Sequence, residues 1–284
     1  MSGALVTATG VLDRVKQVLR EASLPSVDVE ARRLVEAASG RSTSDLILEP
    51  DLDPSVEQKA VDFARRRASG EPLQYVIGVA GFRRLDLAVG PGVFVPRPET
   101  ELVVDKALDR LPRGGTIVDV GTGSGAIALS IADERPDARV LATEHFPSAI
   151  EWVKRNRELT AQDVEIIECD LLEGLPDDLR KGIDVVVANP PYVAEPERPS
   201  LPVDVGEHEP EGALFGGGQA GMETITRLAH DARAWLRPGG WLVSEIGSGQ
   251  GPAVHDLFES LGYLQVRVGV DYANWPRVVE ARKP

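Results

Sequence analysis

The chain has 284 residues, 42% of them hydrophobic and 27% charged, with a formal net charge of −14. That composition belongs to ordinary globular proteins, and the length suits one large α/β domain plus a smaller companion at roughly 150 residues per domain. The acidity argues against extended phosphate contacts and so against nucleic acid as a direct partner, and the lack of a bilayer-length apolar run or a leader pattern argues against a membrane and for the cytoplasm.

In chain order, Val11, Leu12, Val15, Val18 and Leu19 recur at helical spacing. A second set, Val29, Leu34, Val35 and Ala38, follows the expected cap Asp28 and ends near Gly40. Ser42 to Leu48 predicts a short third helix, and Pro54 to Ser69 a longer one with proline at its start and Gly70 beyond its end. Arg65-Arg66-Arg67 is a dense basic run that reads as a solvated face or as favourable charge at a helix C-terminus. Residues 1–78 thus read as a helical domain. Residues 79–98 read as a hairpin linker: Gly81 to Val89 alternates as a strand, and Val93-Phe94-Val95 follows the turn Gly90-Pro91-Gly92. Arg97, between two prolines, is either a surface charge or a placed guanidinium. A helix then begins near Glu99 or Thr100.

From residue 99 to 284 strands and helices alternate, the pattern of a parallel sheet in an α/β fold. The strand Thr116 to Val120 contains Asp119 and runs into Gly121-Thr122-Gly123-Ser124-Gly125, which turns directly into a helix. Glycines let a ligand approach the backbone, and a helix N-terminus favours negative groups. The spacing is neither that of the dinucleotide fingerprint nor that of the phosphate loop. Glu144 ends the next strand. It is either a solvated strand-end charge or the carboxylate that grips the two hydroxyls of a ribose. A third strand, Val164 to Glu168, leads into Cys169-Asp170-Leu171.

The fourth apolar run, Ile183 to Ala188, delivers Asn189-Pro190-Pro191-Tyr192. Neither proline has an N–H and both have a fixed φ, so the corner offers the Asn189 amide and the Pro190 carbonyl as oriented polar groups, with Tyr192 as an aromatic wall. Those parts suit a planar nitrogen with two hydrogens, each held by one acceptor. Methylation of an amide or an exocyclic amino group needs this arrangement, because the delocalised lone pair makes such a nitrogen a poor nucleophile. Beyond it, Glu195 to Pro210 is a proline-rich acidic loop, long enough for a lid or docking surface. Gly216-Gly217-Gly218-Gln219 reads as a turn before a helix from Met222 to Leu236. Further strands at Trp241 to Ile246, Leu264 to Val270 and Val278 to Ala281 would complete a seven-stranded sheet. The single cysteine, Cys169, has no disulfide or metal partners, and the four histidines show no metal-ligand spacing, so no metal is expected.

Val118-Asp-Val-Gly-Thr-Gly-Ser-Gly125 with Asn189-Pro-Pro-Tyr192 resembles the class I, Rossmann-like S-adenosylmethionine-dependent methyltransferases that act on planar nitrogens. Gly70-Glu-Pro-Leu-Gln-Tyr75, Phe94-Val-Pro-Arg-Pro-Glu-Thr-Glu101, His208-Glu-Pro-Glu-Gly-Ala-Leu214 and Glu245-Ile-Gly narrow the resemblance to the HemK/PrmC group, over essentially the whole chain. The resemblance implies methyl transfer from S-adenosyl-L-methionine to the glutamine side chain of the Gly-Gly-Gln motif in class I peptide chain release factors. It implies that Gly121, Thr122, Gly123, Ser124 and Gly125 cradle the methionine part of the cofactor, with Arg97 and Asp119 also on the cofactor side. Glu144 would bind ribose, Asp170 and Leu171 would flank adenine, and Asn189, Pro190, Pro191 and Tyr192 would hold the glutamine amide, Asn189 also bordering the cofactor. The chain departs from the group in having Glu144 where Asp is usual and Leu171 where some members have Trp. The alternatives are an exocyclic-amine methyltransferase on DNA or RNA, a small-molecule amide methyltransferase, and a silent cofactor-binding regulator. The first would have to flip a base, for which no basic groove is visible, and an intact Asn189 corner speaks against the last.

Overall fold

A computed structural model describes residues 5–284, which form two compact units. One unit runs up to Val79 and includes the distant segment Pro202–His208; the other comprises Ala80–Leu201 and Glu209–Pro284.

The first unit contains a short strand pair, β1 (Val6–Thr7) and β2 (Asp51–Leu52), with α1 (Ala8–Glu21), α2 (Val27–Ser39), α3 (Thr43–Leu48), α4 (Pro54–Ala68) and α5 (Leu73–Ile77). Local chemistry sets these boundaries. The Ser42 hydroxyl accepts from Asp45 N while the Asp45 carboxylate accepts from Ser42 N, a reciprocal cap on α3, and Asp53 caps α4 one residue before Pro54. On α2 the cap position falls to Ser26, because Asp28 lies inside the first turn, where its carboxylate pairs with Lys16 at 2.7 Å. Val11, Val15, Leu19, Leu34, Val35, Ala60 and Ala64 supply the buried stripe. The arginine run occupies the last turn of α4, where its charge suits the helix C-terminus, and each guanidinium is also paired. Arg65 pairs with Asp62, Arg66 with Glu71, and Arg67 with buried Glu30 at 2.8 Å and Asp204 at 3.5 Å.

The hairpin that follows is β3 (Val79–Phe82) with β4 (Leu85–Ala88), earlier along the chain than the sequence predicts. The alternation from Gly81 to Val89 is broken at Arg83, which adopts φ +51. Its guanidinium is held there by Glu134 and Asp105. Val93 and Val95 are buried without strand pairing. The chain then passes through a 3-10 turn, Pro98–Thr100, into α6 (Glu101–Arg110), β5 (Thr116–Val120), α7 (Ala126–Glu134), β6 (Arg139–Glu144), α8 (Pro147–Thr160), β7 (Val164–Glu168) and β8 (Ile183–Ala188). After it come α9 (Val203–Gly206), which belongs to the first unit, and then, in the second, α10 (Glu211–Leu214), α11 (Glu223–Trp235), β9 (Leu236–Glu245), α12 (Gly251–Ser260), β10 (Leu264–Val270) and β11 (Pro276–Arg282).

The seven-stranded sheet has the order β10-β11-β9-β8-β5-β6-β7, parallel from β9 to β7 and antiparallel at β11 and β10. Alternating side chains fill both faces. Val118, Val120, Val186 and Ala188 pack with α11 and α12 residues, whereas Ile117, Val185 and Val187 pack with α6 and α7. Strand β5 lies between β6 and β8, so the chain reverses its direction of winding there, and open α/β sheets bind ligands at such a switch point.

Because Arg67 and Glu30 are both nearly buried, removing one charge strands the other. Arg67→Ala should therefore cost about 3 to 5 kcal/mol of folding stability, read from denaturant midpoints; an unchanged midpoint would show the pair to be passive.

Candidate active site

The glycine loop owes its shape to a residue beneath it. Asp119 is 1% exposed, and its Oδ2 accepts from Thr122 Oγ1 at 2.6 Å and from Ala128 N at 3.1 Å, tying the loop to the first turn of α7. Asp119 therefore lies behind the loop and off the cavity wall, which corrects its expected place among the direct ligand contacts. Gly125 has φ +87, and an added Cβ would lie 2.8 Å from Leu129 and 2.9 Å from Val153, so only glycine lets α7 start there. Gly121 differs: a Cβ there would meet nothing within 4 Å, because that side of the loop faces open cavity.

Glu144, 5% exposed, is fixed at the tip of β6 by three backbone donors. Its Oε2 accepts from Gly123 N at 3.0 Å, and its Oε1 accepts from His145 N at 2.9 Å and Phe146 N at 3.0 Å. Asp170 pairs with Arg227 at 2.7 Å, and Leu171 sits at φ +48 against the core. Arg97 is the residue that moves furthest from expectation. Its guanidinium pairs with buried Glu209 and stacks on Phe94 at 4.9 Å, so it reaches the cavity only through Phe94, which lines it.

At the tip of β8, Asn189 Nδ2 donates to Thr100 Oγ1 at 3.2 Å, and Thr100 Oγ1 donates to Glu245 Oε2 at 2.6 Å. Tyr192 OH donates to the other oxygen, Glu245 Oε1, at 3.3 Å. Thr100 and Glu245 are 4% and 2% exposed. Burial pushes the Glu245 carboxyl up to about 7 and the Tyr192 hydroxyl well above its ordinary value. The corner is braced from behind: Gln250 Nε2 donates to Tyr192 O at 3.0 Å and to Ala220 O at 2.9 Å, and Gly216 N donates to Val193 O at 3.1 Å. Gly216 to Gln219 is thus part of a turn pressed against the corner, with the Gln219 side chain exposed.

Gly121, Thr122, Gly123, Ser124, Glu144, Asp170, Leu171 and Asn189 through Tyr192 all line one cavity of about 270 Å³. Phe146 and Leu228, which sequence reasoning did not single out, add apolar wall. The cavity offers a fixed carboxylate at one end and an amide-and-carbonyl corner at the other. Among the described residues no cluster of His, Cys, Asp and Glu is placed to hold a metal ion.

A family model described as PrmC N-terminal domain matches residues 11–78, and one described as Methyltransferase small domain matches residues 85–201. The release factor glutamine methyltransferase of Geobacter sulfurreducens is 35% identical over 278 residues, covering 97% of this chain and 96% of that protein. That of Streptomyces coelicolor is 40% identical over 272 residues, covering 94% and 95%. The chain belongs to the release factor glutamine methyltransferase family. Like this member of the family, two solved methyltransferases carry the sheet. A T. thermophilus 16S rRNA N2 G1207 methyltransferase, in complex with AdoMet and guanosine, matches with a TM-score of 0.53 at 23% identity over 72% of this chain and 50% of that one. A Pyrococcus furiosus methyltransferase matches with a TM-score of 0.53 at 21% identity over 70% and 89%. At such identity the likeness is one of fold.

Burial pushes the Asp119 carboxyl up to about 7 against the pull of its bonds from Thr122 and Ala128, and the Glu144 charge adds to the rise. A carboxyl raised on folding stabilises the native state fully below its unfolded value of about 4, and that contribution is lost as pH rises through about 7. Asp119→Asn does not titrate, so its stability relative to the parent should improve from about pH 5 to about pH 8. Thermal denaturation without ligand at the two pH values checks this; a constant difference would contradict it.

Proposed function

We infer that this chain transfers a methyl group from S-adenosylmethionine to the side-chain amide nitrogen of the glutamine in the Gly-Gly-Gln motif of class I peptide chain release factors. The observation that carries the reading is that the Asn189-Pro190 corner and the glycine loop, at the tips of the adjacent strands β8 and β5, line the same cavity.

The residues present fit the cofactor. The diol of a ribose needs a fixed acceptor, and Glu144 is one, held by three N–H groups with one lone pair to spare on Oε2. An amino-acid moiety needs close approach to backbone, which the open side of Gly121 allows. Asp170 and Leu171 stand where a planar base has polar and apolar neighbours. When bound, S-adenosylmethionine supplies an activated methyl group on a sulfonium.

The chain's own work is positioning. Asn189 Oδ1 accepts one hydrogen of the glutamine amide and the Pro190 carbonyl the other, which aims the nitrogen and stabilises the positive charge that develops on it. Tyr192 flanks the glutamine side chain. Glu245 lies behind Thr100 and Tyr192, so the proton shed after methylation passes to water. An exocyclic base amine would meet the same two acceptors, but a net charge of −14 opposes its polyanionic carrier.

The helical unit, residues 1–78 by the sequence reading, supplies a second surface that orients a folded release factor. The hairpin then links it to the methyltransferase domain, and the enzyme works in the cytoplasm. Among the described residues no helix is long and apolar enough to cross a membrane.

Asn189→Ala should lower kcat/KM about a hundredfold or more with cofactor affinity nearly unchanged. Glu144→Ala should instead weaken cofactor binding by roughly 1.5 to 3 kcal/mol. Calorimetry and steady-state rates separate the two, and the same defect in both variants would sink the assignment. With Arg67→Ala, activity should fall further on an intact release factor than on a short Gly-Gly-Gln peptide; equal fractional losses would assign the helices to stability alone.

A further inference from the structure

The methyl-transfer reading uses Asn189 as an acceptor, yet nothing in that reading says why its amide oxygen faces the substrate. A side-chain amide is nearly symmetric in shape, and turned over it would present NH₂ to the NH₂ of glutamine. Its orientation has to come from a partner. That partner, Thr100, has a hydroxyl with a single proton, and the proton is given to Glu245 Oε2 in a bond of 2.6 Å. What Thr100 has left for Asn189 is a lone pair, which only Nδ2 can use, as it does at 3.2 Å.

Resting on the glutamine-methyltransferase reading, we propose that the Glu245 carboxylate, acting through the Thr100 hydroxyl, sets the polarity of the Asn189 amide, so that Glu245 and Thr100 are positioning residues for the amide substrate. The relay runs one way only while Glu245 is ionised. Once protonated, Glu245 can donate to Thr100, the Thr100 proton is free to turn to Asn189, and the amide is stable with its NH₂ toward the cavity. Two donors would then face each other at the reacting nitrogen, leaving one buried and unsatisfied.

The surroundings of Glu245 place this switch in a useful range. Burial raises its carboxyl; Thr100 from the 3-10 turn, Arg277 from β11 and Tyr192 from the corner oppose the rise, and Glu99 from the 3-10 turn adds to it, with the outcome at about 7. Arg277 is itself shared with Asp271 at 3.2 Å. The ionised form is the productive one. Turnover of the amide should therefore fall as pH drops through about 7, while cofactor affinity does not follow it.

The test measures kcat/KM on a Gly-Gly-Gln peptide from about pH 6 to about pH 8.5 for the parent enzyme, Thr100→Val, Thr100→Ser and Glu245→Gln, with cofactor affinity by calorimetry and a thermal melt for each. Thr100→Val keeps the shape and loses the relay, so it should lose about tenfold or more in kcat/KM at unchanged cofactor affinity. Thr100→Ser restores the hydroxyl and should recover most of the loss. In Glu245→Gln the amide can still accept from Thr100, so the rate is expected to fall less, but the inflection near pH 7 should vanish. Thr100→Val as active as Thr100→Ser would overturn the relay. An inflection that survives in Glu245→Gln would overturn it too, since it would belong to another group such as Asp119. A parent enzyme that binds S-adenosylmethionine but methylates no glutamine at any pH would overturn the reading beneath it.

Discussion

Strand register is the constraint on which the site depends. Val120 pairs with Thr143 on one side and with Ala188 on the other, and Ala188 pairs in turn with Ser244. The residues that follow, Gly121, Glu144, Asn189 and Glu245, therefore stand side by side along one edge of the sheet, Glu144 and Glu245 as the last residues of their strands. A shift of one residue in any of these pairings would turn the strand's apolar set inside out and carry its tip residue out of line. The row is held because every strand involved is buried on both faces. Val118 and Val186 share one core and Ile117, Val185 and Val187 the other. The packing that stabilises the sheet thus also places ligand-binding groups at one edge.

Burial at that edge gives the polar groups their directions. In water a carboxylate, a hydroxyl and an amide would exchange partners freely, but Glu144, Glu245 and Thr100 are buried and must be satisfied within the protein, and Asn189 is half-buried beside them. Glu144 is satisfied by three N–H groups and keeps one lone pair, on Oε2, for a ligand. Asn189 is satisfied on one side by Thr100 and keeps its oxygen. The two prolines that follow it, lacking N–H groups, remove donors that would compete at the corner. Catalysis by positioning an amide needs a site that does not reorganise, and the braces from Gln250 and the Gly216 turn serve that end.

Much of the catalytic unit was legible because parallel strands write themselves as short apolar runs. Thr116–Val120, Val164–Glu168 and Ile183–Ala188 stand where the sequence places them, and so does the antiparallel edge strand Leu264–Val270. The glycine loop and the Asn-Pro-Pro-Tyr corner were legible for another reason: each has a composition that local backbone chemistry demands. Long-range relations were not legible. Thr100 and Glu245 lie 145 residues apart, and nothing near either marks it as the other's partner, although both sit in motifs that the family resemblance picks out. The family resemblance puts Asp119 and Arg97 on the cofactor side. Both are placed, but against Thr122 and Ala128 in one case and Glu209 in the other. The hairpin lies earlier because the apolar alternation of the sequence runs on across Arg83, where the backbone, at positive φ, makes the turn. The return of Pro202–His208 to the helical unit, with Asp204 against Arg67, also left no local signal.

The most direct measurement is fragment-resolved mass spectrometry of an intact class I release factor after incubation with the enzyme and isotopically labelled S-adenosylmethionine, alongside a substrate in which the Gly-Gly-Gln glutamine is replaced by glutamate. One labelled methyl group on the glutamine side chain, absent from the glutamate control, is the expected result. Label on another residue, on nucleic acid alone, or equally on both substrates would contradict the assignment of the Asn189 corner to a glutamine amide.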